Sequence, residues 1–431
     1  MKATRNYRFI NWGKNQTCTA ENFLQPQTEA EIIEAVKTSN KIRVVGTGHS
    51  WSAICLTDHS LINFDLYNKV LNINKEKLQV TVQSGIKLWQ LNGLLDKEGL
   101  ALRNLGSISD QSLAGAISTA THGTGINYPI LGSQIQQLSI IKANGEKLVL
   151  DCVFDAEVFN TALVSLGALG ILSEITLNVV PAFNLNEQNY VTKFDDVIDK
   201  LDEFVADTDH FKLWWFPHVD EVVVYNYRRT HEPANDSRFR QWLMDEVLSV
   251  LVYRILIRMG HINRNWRKWI NKLLVTKLIM PLNRIEKSYQ VFNVPAPPPH
   301  RETEWAFDIR IAKDLLREYK QMINTSEHRI NFLQEIRFTK GDSYTLSPCN
   351  GRNTIWLGVY NADNYGWDTL LADFEQLAKR YNGRPHWGKE FNADSIYIST
   401  QYSGVEKFNA LRKEWDPEGK FENDYIAKLF A

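Results

Sequence analysis

The stretch Val44-Val45-Gly46-Thr47-Gly48-His49-Ser50-Trp51-Ser52 decides how this chain is read. It follows the basic, β-branched lead Lys41-Ile42-Arg43, so a strand is expected to end here in an abrupt turn. Two glycines and two small hydroxyl residues, Gly46, Thr47, Gly48 and Ser50, permit positive φ and let several backbone N–H groups converge on one bulky anion. A diphosphate fits such a loop. His49 at its tip is the odd residue, because a loop that only cradles phosphate has no use for an imidazole. Taken alone, a tight turn carrying a surface histidine accounts for the stretch equally well.

With 431 residues the chain exceeds one ordinary core, so two domains are expected. A content of 44% hydrophobic and 23% charged residues is that of a globular protein. The 49 lysines and arginines nearly cancel 50 acidic residues, which argues against nucleic acid as a partner. Cys18, Cys55, Cys152 and Cys349 are scattered without metal-ligand spacing, as for free thiols in a reducing compartment, and no metal site is expected. Residues 1–13 lack the apolar core of a signal peptide, so a cytoplasmic location is expected. Thirteen tryptophans suit a protein that stacks a planar ring, although burial in a core is their commoner use.

Thr28 followed by Glu29 and Glu31, then Ile32, Ile33, Ala35 and Val36, predicts a capped amphipathic helix over 28–40. Strands are expected at 41–45, 61–65 and 77–82, and a helix at 87–98. A second small-residue region spans Asn104 to Ser107 and Ser112 to Gly125. A third, around Gly167 and Gly170, runs into a strand ending at Pro181. Segments made of Gly, Ala, Ser and Thr cannot fill a core by bulk; they suit close approach to something large. In this order and spacing the three pieces resemble the flavin-binding domain of the vanillyl-alcohol oxidase superfamily, and the GHS loop resembles its sugar-lactone oxidase branch, in which that histidine is bonded to the flavin. The resemblance implies an FAD-binding domain over 1–181 in an α+β, two-domain fold. It assigns cofactor contacts to Arg43, Gly46, Thr47, Gly48, His49 and Ser50 in the first piece. In the second it assigns them to Gly106, Ser107, Ser112, Gly115, Thr119, His122, Gly123 and Gly125, and in the third to Gly170 and Ile171. It implies a covalent link through His49, with His122 the competing attachment point.

Beyond Pro181, strands at 190–193, 211–216 and 222–227 with an acidic helix over 194–205 predict an antiparallel sheet covered by helices on one face. After Glu246 no acidic residue occurs until Glu286, while Arg254, Arg258, Arg264, Arg267, Lys268, Lys272, Lys277 and Arg284 punctuate an apolar background. Charges recur too often for a membrane span. Two basic amphipathic helices within 242–284 are expected instead. They either cap the second domain or make peripheral contact with an anionic membrane. Residues 295–299 read as a stiff extended connector.

Phe332 to Thr339 alternates with period two, so Glu335 and Arg337 emerge on one face of a strand. A solvated cross-sheet pair would look the same. Together with Leu346-Ser347-Pro348-Cys349, Gly383-Arg384-Pro385-His386-Trp387-Gly388-Lys389 and Asp416-Pro417-Glu418-Gly419-Lys420-Phe421, this strand resembles the C-terminal domain of the L-gulono-1,4-lactone and arabinono-lactone oxidases. The resemblance implies a substrate domain over 182–405 and a segment, 406–431, that returns to the FAD domain. It implies catalytic roles for Glu335, Arg337 and Lys389, with either Glu335 or Lys389 taking the hydroxyl proton, and substrate contacts from Ser107, Gly358, Tyr360 and His386. Gly358 and Tyr360 replace the histidine and small polar residue of polyol-oxidising relatives, which favours a ring lactone. Gly106 leaves room for O2 beside the flavin. The expected function is oxidation of an aldono-1,4-lactone at C2 to an ascorbate-type product with H2O2. The alternatives are a polyol such as xylitol, a quinone or cytochrome acceptor, or a flavin-binding membrane-docking protein without activity.

Overall fold

A computed structural model describes residues 1–235, 251–294 and 297–431. The first half carries β1 (Lys2–Ile10), β2 (Thr17–Gln25), β3 (Ile42–Val45), β4 (Ser60–Asn63), β5 (Val70–Asn74), β6 (Gln79–Gln83), β7 (Leu100–Ala101), β8 (Ile135–Ile141), β9 (Lys147–Asp151), β10 (Ile171–Asn178) and β11 (Val180–Pro181). They form a four-stranded sheet in the order β1-β2-β4-β3, with β3 and β4 parallel, a five-stranded antiparallel sheet β5-β6-β10-β8-β9, and the short pair β11-β7. The helix Glu29–Thr38 starts at Thr28, whose hydroxyl accepts from the Glu31 N–H, with Glu29 and Glu31 at its positive end. The β1-β2 hairpin was not anticipated from the sequence, since the alternation in 1–13 is masked by charges on an edge strand that faces water.

The second half is one eight-stranded antiparallel sheet. Its strands are β12 (Asn184–Lys193), β13 (His210–Trp215), β14 (Glu221–Thr230), β15 (Leu282–Lys287), β16 (Arg301–Asp308), β17 (Gln334–Thr339), β18 (Thr354–Asn361) and β19 (Arg384–Pro385), in the order β15-β12-β14-β13-β17-β18-β16-β19. The acidic helix expected over 194–205 is two short helices, Phe194–Asp199 and Leu201–Asp207, because Lys200 leaves helical geometry (φ −103°, ψ 21°). Helices Ala312–Thr325 and Trp367–Arg380 cover one face of the sheet with their apolar sides. The two halves share one continuous apolar core.

The basic region forms helices Tyr253–Ile262 and Arg267–Leu273, joined by a 3-10 turn, before the chain enters β15. Residues 242–250 of that expectation, and Pro295 and Ala296 of the proline-rich connector, lie outside the described residues. The C-terminal segment lies against the first half: Ile42 N–H donates to Lys420 O at 2.9 Å, Lys41 Nζ to Gly419 O at 2.6 Å, and Phe421 packs with Ile32, Val36 and Ile42.

Candidate active site

β3 ends at Val45 and the chain turns through Gly46 to Ser50, with Gly48 at φ +70°. Around this turn lies a narrow cavity walled by residues 43–50, Ser84, Ser112, Gly115, Thr119, Ser165 to Gly167 and Gly170. Its walls are small side chains and backbone, as a large, partly anionic ligand needs. A Cβ on Gly46 would come within 2.3 Å of Ser112 Oγ, so glycine there permits the close approach. The buried Ser84 Oγ in the same wall has no hydrogen-bond partner among the described residues. An adenine dinucleotide fits this cradle of glycines, hydroxyls and unspent donors.

The cradle opens, through His49, Ser50, Gln111 and Thr119, into a second cavity of about 330 Å³ against the eight-stranded sheet. Backbone bonds lock the junction. Trp51 N–H donates to Gly388 O at 2.7 Å, Ser52 Oγ to Trp387 O at 2.8 Å, and Gly125 N–H to Phe338 O at 2.7 Å. The GHS loop is thereby docked on the P-H-W loop, and the second glycine-rich region on the strand that carries Glu335 and Arg337.

The wall of this cavity follows from strand order. On β17, Gln334 faces the helix side and bonds to Tyr319, while Glu335 and Arg337 face the cavity. β13, hydrogen-bonded beside it, pairs Trp214 with Glu335 and Lys212 with Arg337. β16 contributes Glu302 and Glu304, and the loop after β19 runs along β16 through His386 N–H to Glu304 O, 2.9 Å. Three acids and three bases thus converge from four segments. Arg337 Nη2 donates to Glu304 Oε1 at 2.8 Å, and Arg337 Nε lies 3.4 Å from Glu335 Oε2. Lys212 Nζ and Trp214 Nε1 donate to Glu335 Oε1 at 3.2 and 3.0 Å. Lys389 Nζ donates to Glu302 Oε2 at 2.6 Å and lies 4.2 Å from the centre of the Trp51 ring.

The electrostatics are one-sided. Burial alone would raise the Glu335 carboxyl, but Lys212, Arg337 and the Trp214 donor outweigh it and hold it down at about 2. Burial opposes the charged form of Glu304 too, and Arg337, His122 and Lys389 together outweigh it, leaving it well below the usual carboxylate range. Burial lowers the imidazoles: His386 well below its usual value, His122 also below it, and His49 to about 4, where Asp110 partly opposes burial. The cavity therefore holds fixed anions paired to fixed cations, beside imidazoles that are neutral at pH 7.

Among the residues singled out from sequence, His49, Ser50, Gly106, Ser107, His122, Glu335, Arg337, Tyr360, His386 and Lys389 border this cavity. Five positions depart from expectation. Gly358 does not reach it: its absent side chain lets β18 pack on β16, since a Cβ would lie 2.1 Å from Thr303 O. Gly123 and Gly125 are likewise packing positions, where a Cβ would meet Leu105 O at 2.3 Å and Asp209 O at 2.5 Å. Ile171 is buried in the core beneath the first helix. Arg43 borders the cradle, but its guanidinium is spent on the carbonyls of Ile54, Leu166, Gly167 and Phe421, so it clamps three segments together. Gly106 borders the cavity, yet a Cβ there would meet His122 O at 3.2 Å. Glu302, Glu304, Lys212 and Trp214 were not anticipated. The available signal was the alternation in Arg301-Glu302-Thr303-Glu304-Trp305, which puts two acids on one face of a strand.

Comparison with known proteins gives consistent matches. The profile of the D-arabinono-1,4-lactone oxidase family matches residues 175–429, and that of an FAD binding domain matches residues 20–151. L-gulonolactone oxidase of Mus musculus is 33% identical over 99% of this chain and 99% of its own. D-arabinono-1,4-lactone oxidase of Candida glabrata is 37% identical over 97% of this chain and 95% of its own. L-gulono-1,4-lactone dehydrogenase of Mycobacterium tuberculosis is 30% identical over 98% of both. The fold is shared with cholesterol oxidase of Brevibacterium sterolicum, at a TM-score of 0.84 and 16% identity over 100% of this chain and 97% of that one.

Proposed function

The chain belongs to the D-arabinono-1,4-lactone oxidase family, and on that premise we propose that it oxidises the C2 hydroxyl of an aldono-1,4-lactone such as L-gulono-1,4-lactone, with O2 as the acceptor. FAD, when bound, takes the hydride from carbon and passes the electron pair to O2, giving H2O2. The observation that carries this reading is the Arg337–Glu335–Lys212 cluster facing the His49 loop across one cavity.

Each side chain then has a definable task. At the turn itself no bulky side chain is needed: the backbone of Gly46 to Ser50, with Ser84, Ser112 and Thr119, would hold the dinucleotide, and His49 would supply the covalent link to its ring. Arg337 is rigid and permanently charged, and it stabilises negative charge that builds on the ring edge or on a substrate oxygen. Glu335, pinned as an anion, accepts a hydrogen bond from a substrate hydroxyl and orients it. A carboxylate held near 2 is a poor proton acceptor at neutral pH. Lys389, paired to Glu302, adds a second cation at the mouth beside Trp51.

Anaerobic mixing with L-gulono-1,4-lactone is expected to bleach the flavin absorbance, whereas xylitol leaves it yellow; readmitted air restores the colour with one H2O2 per lactone. Bleaching by xylitol alone would replace the lactone with a polyol. Bleaching without H2O2 on aeration would make the chain a dehydrogenase, the activity named for the mycobacterial relative.

A membrane surface as a second partner is favoured by one observation. Ile255, Ile262, Trp266 and Trp269 are exposed on the two basic helices and the turn that joins them, as are Arg254, Arg258, Arg264, Lys268 and Lys272. Arg267 is not part of that charge, being buried against Gly260 O, Arg329 O and Asp363. No helix among the described residues is long and apolar enough to cross a membrane. Vesicles rich in phosphatidylserine should therefore carry the protein down on centrifugation at low salt and release it at high salt. A supernatant that keeps all the protein at low salt would remove this partner.

A further inference from the structure

We propose that the proton leaving the substrate hydroxyl is taken by a buried pair, His122 and Glu304, rather than by Glu335 or Lys389. The inference rests on the lactone-oxidising function proposed above, and it concerns only where that proton goes.

His122 Nδ1 lies 2.9 Å from Gly123 O, and a carbonyl can only accept, so Nδ1 carries the hydrogen and Nε2 the lone pair. Nε2 in turn lies 3.5 Å from Glu304 Oε2. Both atoms are buried, and neither makes a hydrogen bond among the described residues. Two acceptors facing each other in a dry interior leave a place for one proton. Glu335 is the poorer proton acceptor, because Lys212 and Trp214 already donate to its Oε1 and Arg337 lies beside its Oε2, which hold it as a carboxylate.

The surroundings hold the pair ready. Glu304 Oε1 accepts from Arg337 Nη2 at 2.8 Å and from the Tyr360 hydroxyl at 3.3 Å, so the carboxylate is ionised and cannot swing away. The His122 ring is stacked on Trp356 at 3.6 Å between centroids, which fixes its plane. The charged and titratable groups that face it are Glu304 from β16, Arg337 from β17 and His386 from the loop after β19. Burial and Arg337 lower the imidazole below its usual value and Glu304 partly restores it, so His122 is neutral at pH 7 and able to accept. Once protonated, it forms an ion pair with Glu304 in a low-dielectric site, where that pairing is strong. A divalent cation is a poorer occupant, because Arg337 already shares the carboxylate. His122 and Glu304 themselves border the cavity, as does Tyr360, so the pair adjoins the substrate space.

The balance of the step is simple. The hydrogen on the substrate carbon would leave with its electron pair as hydride, for which FAD is the acceptor, the O–H bond breaks with its proton going to His122 Nε2, and the O–H electron pair becomes the second bond of the C=O group. The proton later returns to solvent or to the product of O2 reduction.

Two measurements test this. Nitrogen-15 spectra of histidine-labelled protein should contain, beside those of His210 and His300, whose Nδ1 atoms also face carbonyls, an imidazole signal of His122 with Nδ1 protonated and Nε2 bare at pH 7. That signal should titrate below its ordinary range and vanish in His122→Asn. In stopped flow, the rate of bleaching by lactone should fall as pH drops through the same titration. His122→Asn, whose amide still bonds to Gly123 O, should bleach about 100-fold or more slowly at an unchanged half-saturating lactone concentration, without that inflection. A His122 imidazole that is doubly protonated at pH 7, or has its hydrogen on Nε2, overturns the proposal even if the variant does not fold. A yellow His122→Asn that bleaches at the parent rate overturns it as well. If no lactone bleaches the parent protein, the substrate reading fails instead, and the spectra still decide the tautomer.

Discussion

Arg337→Met is expected to bleach with lactone about 100- to 1,000-fold more slowly than the parent protein, the loss typical of removing one preorganised donor from a site of developing charge. The effect should fall on the limiting rate more than on half-saturation, because the guanidinium acts where charge accumulates and not along the whole ligand. The substitution has a second consequence. Glu304 is wholly buried, and Arg337 is the only permanent cation within bonding distance of it among the described residues. Removing one partner of a buried ion pair typically costs about 3–5 kcal/mol, so a lowered midpoint of thermal unfolding is expected as well. Arg337→Lys separates the two effects. It keeps the charge and so most of the stability, but it loses the planar fork that spans Glu304 and His122 O, and the rate stays low. A stable Arg337→Met that bleaches at the parent rate would show that the guanidinium serves packing alone.

His49→Ala is expected to move the yellow colour wholly from the pellet to the supernatant after acid precipitation, while the parent protein keeps it in the pellet. Burial is the main cause that lowers the His49 imidazole to about 4, so at neutral pH it is uncharged, with a lone pair for bonding to carbon. It also stands at the junction of the two cavities, where the dinucleotide cradle meets the substrate space. His122 is poorly placed as the alternative: its ring is clamped on Trp356, its Nδ1 is held by Gly123 O, and its Nε2 faces Glu304. His122→Asn should therefore leave the colour in the pellet. Colour retained in the pellet by His49→Ala would place the link elsewhere.

The tryptophans illustrate how far composition alone reaches. Trp215, Trp305, Trp356, Trp367 and Trp387 are fully buried core residues, whereas Trp12, Trp51 and Trp214 border the cavity. The number of indoles could not tell these uses apart, because both need an apolar body with a satisfied N–H.

What the chain's order of residues determined on its own is local. Positive φ at Gly48 and small walls around it are properties of the residue types, the helix start at Thr28 is a capping pattern, and the shared face of Glu335 and Arg337 follows from the two-residue period of any strand. What only the tertiary structure decided is which strands lie side by side. The order β13-β17-β18-β16 brings Lys212, Trp214, Glu302 and Glu304 from distant positions onto the Glu335–Arg337 face, and it turns Gly358 from a candidate contact into a packing necessity. Strand neighbours are chosen by burial of whole faces and by backbone pairing across long stretches of chain, so the charges that set the acidity of Glu335, and the carboxylate that faces His122, cannot be read from their own segments.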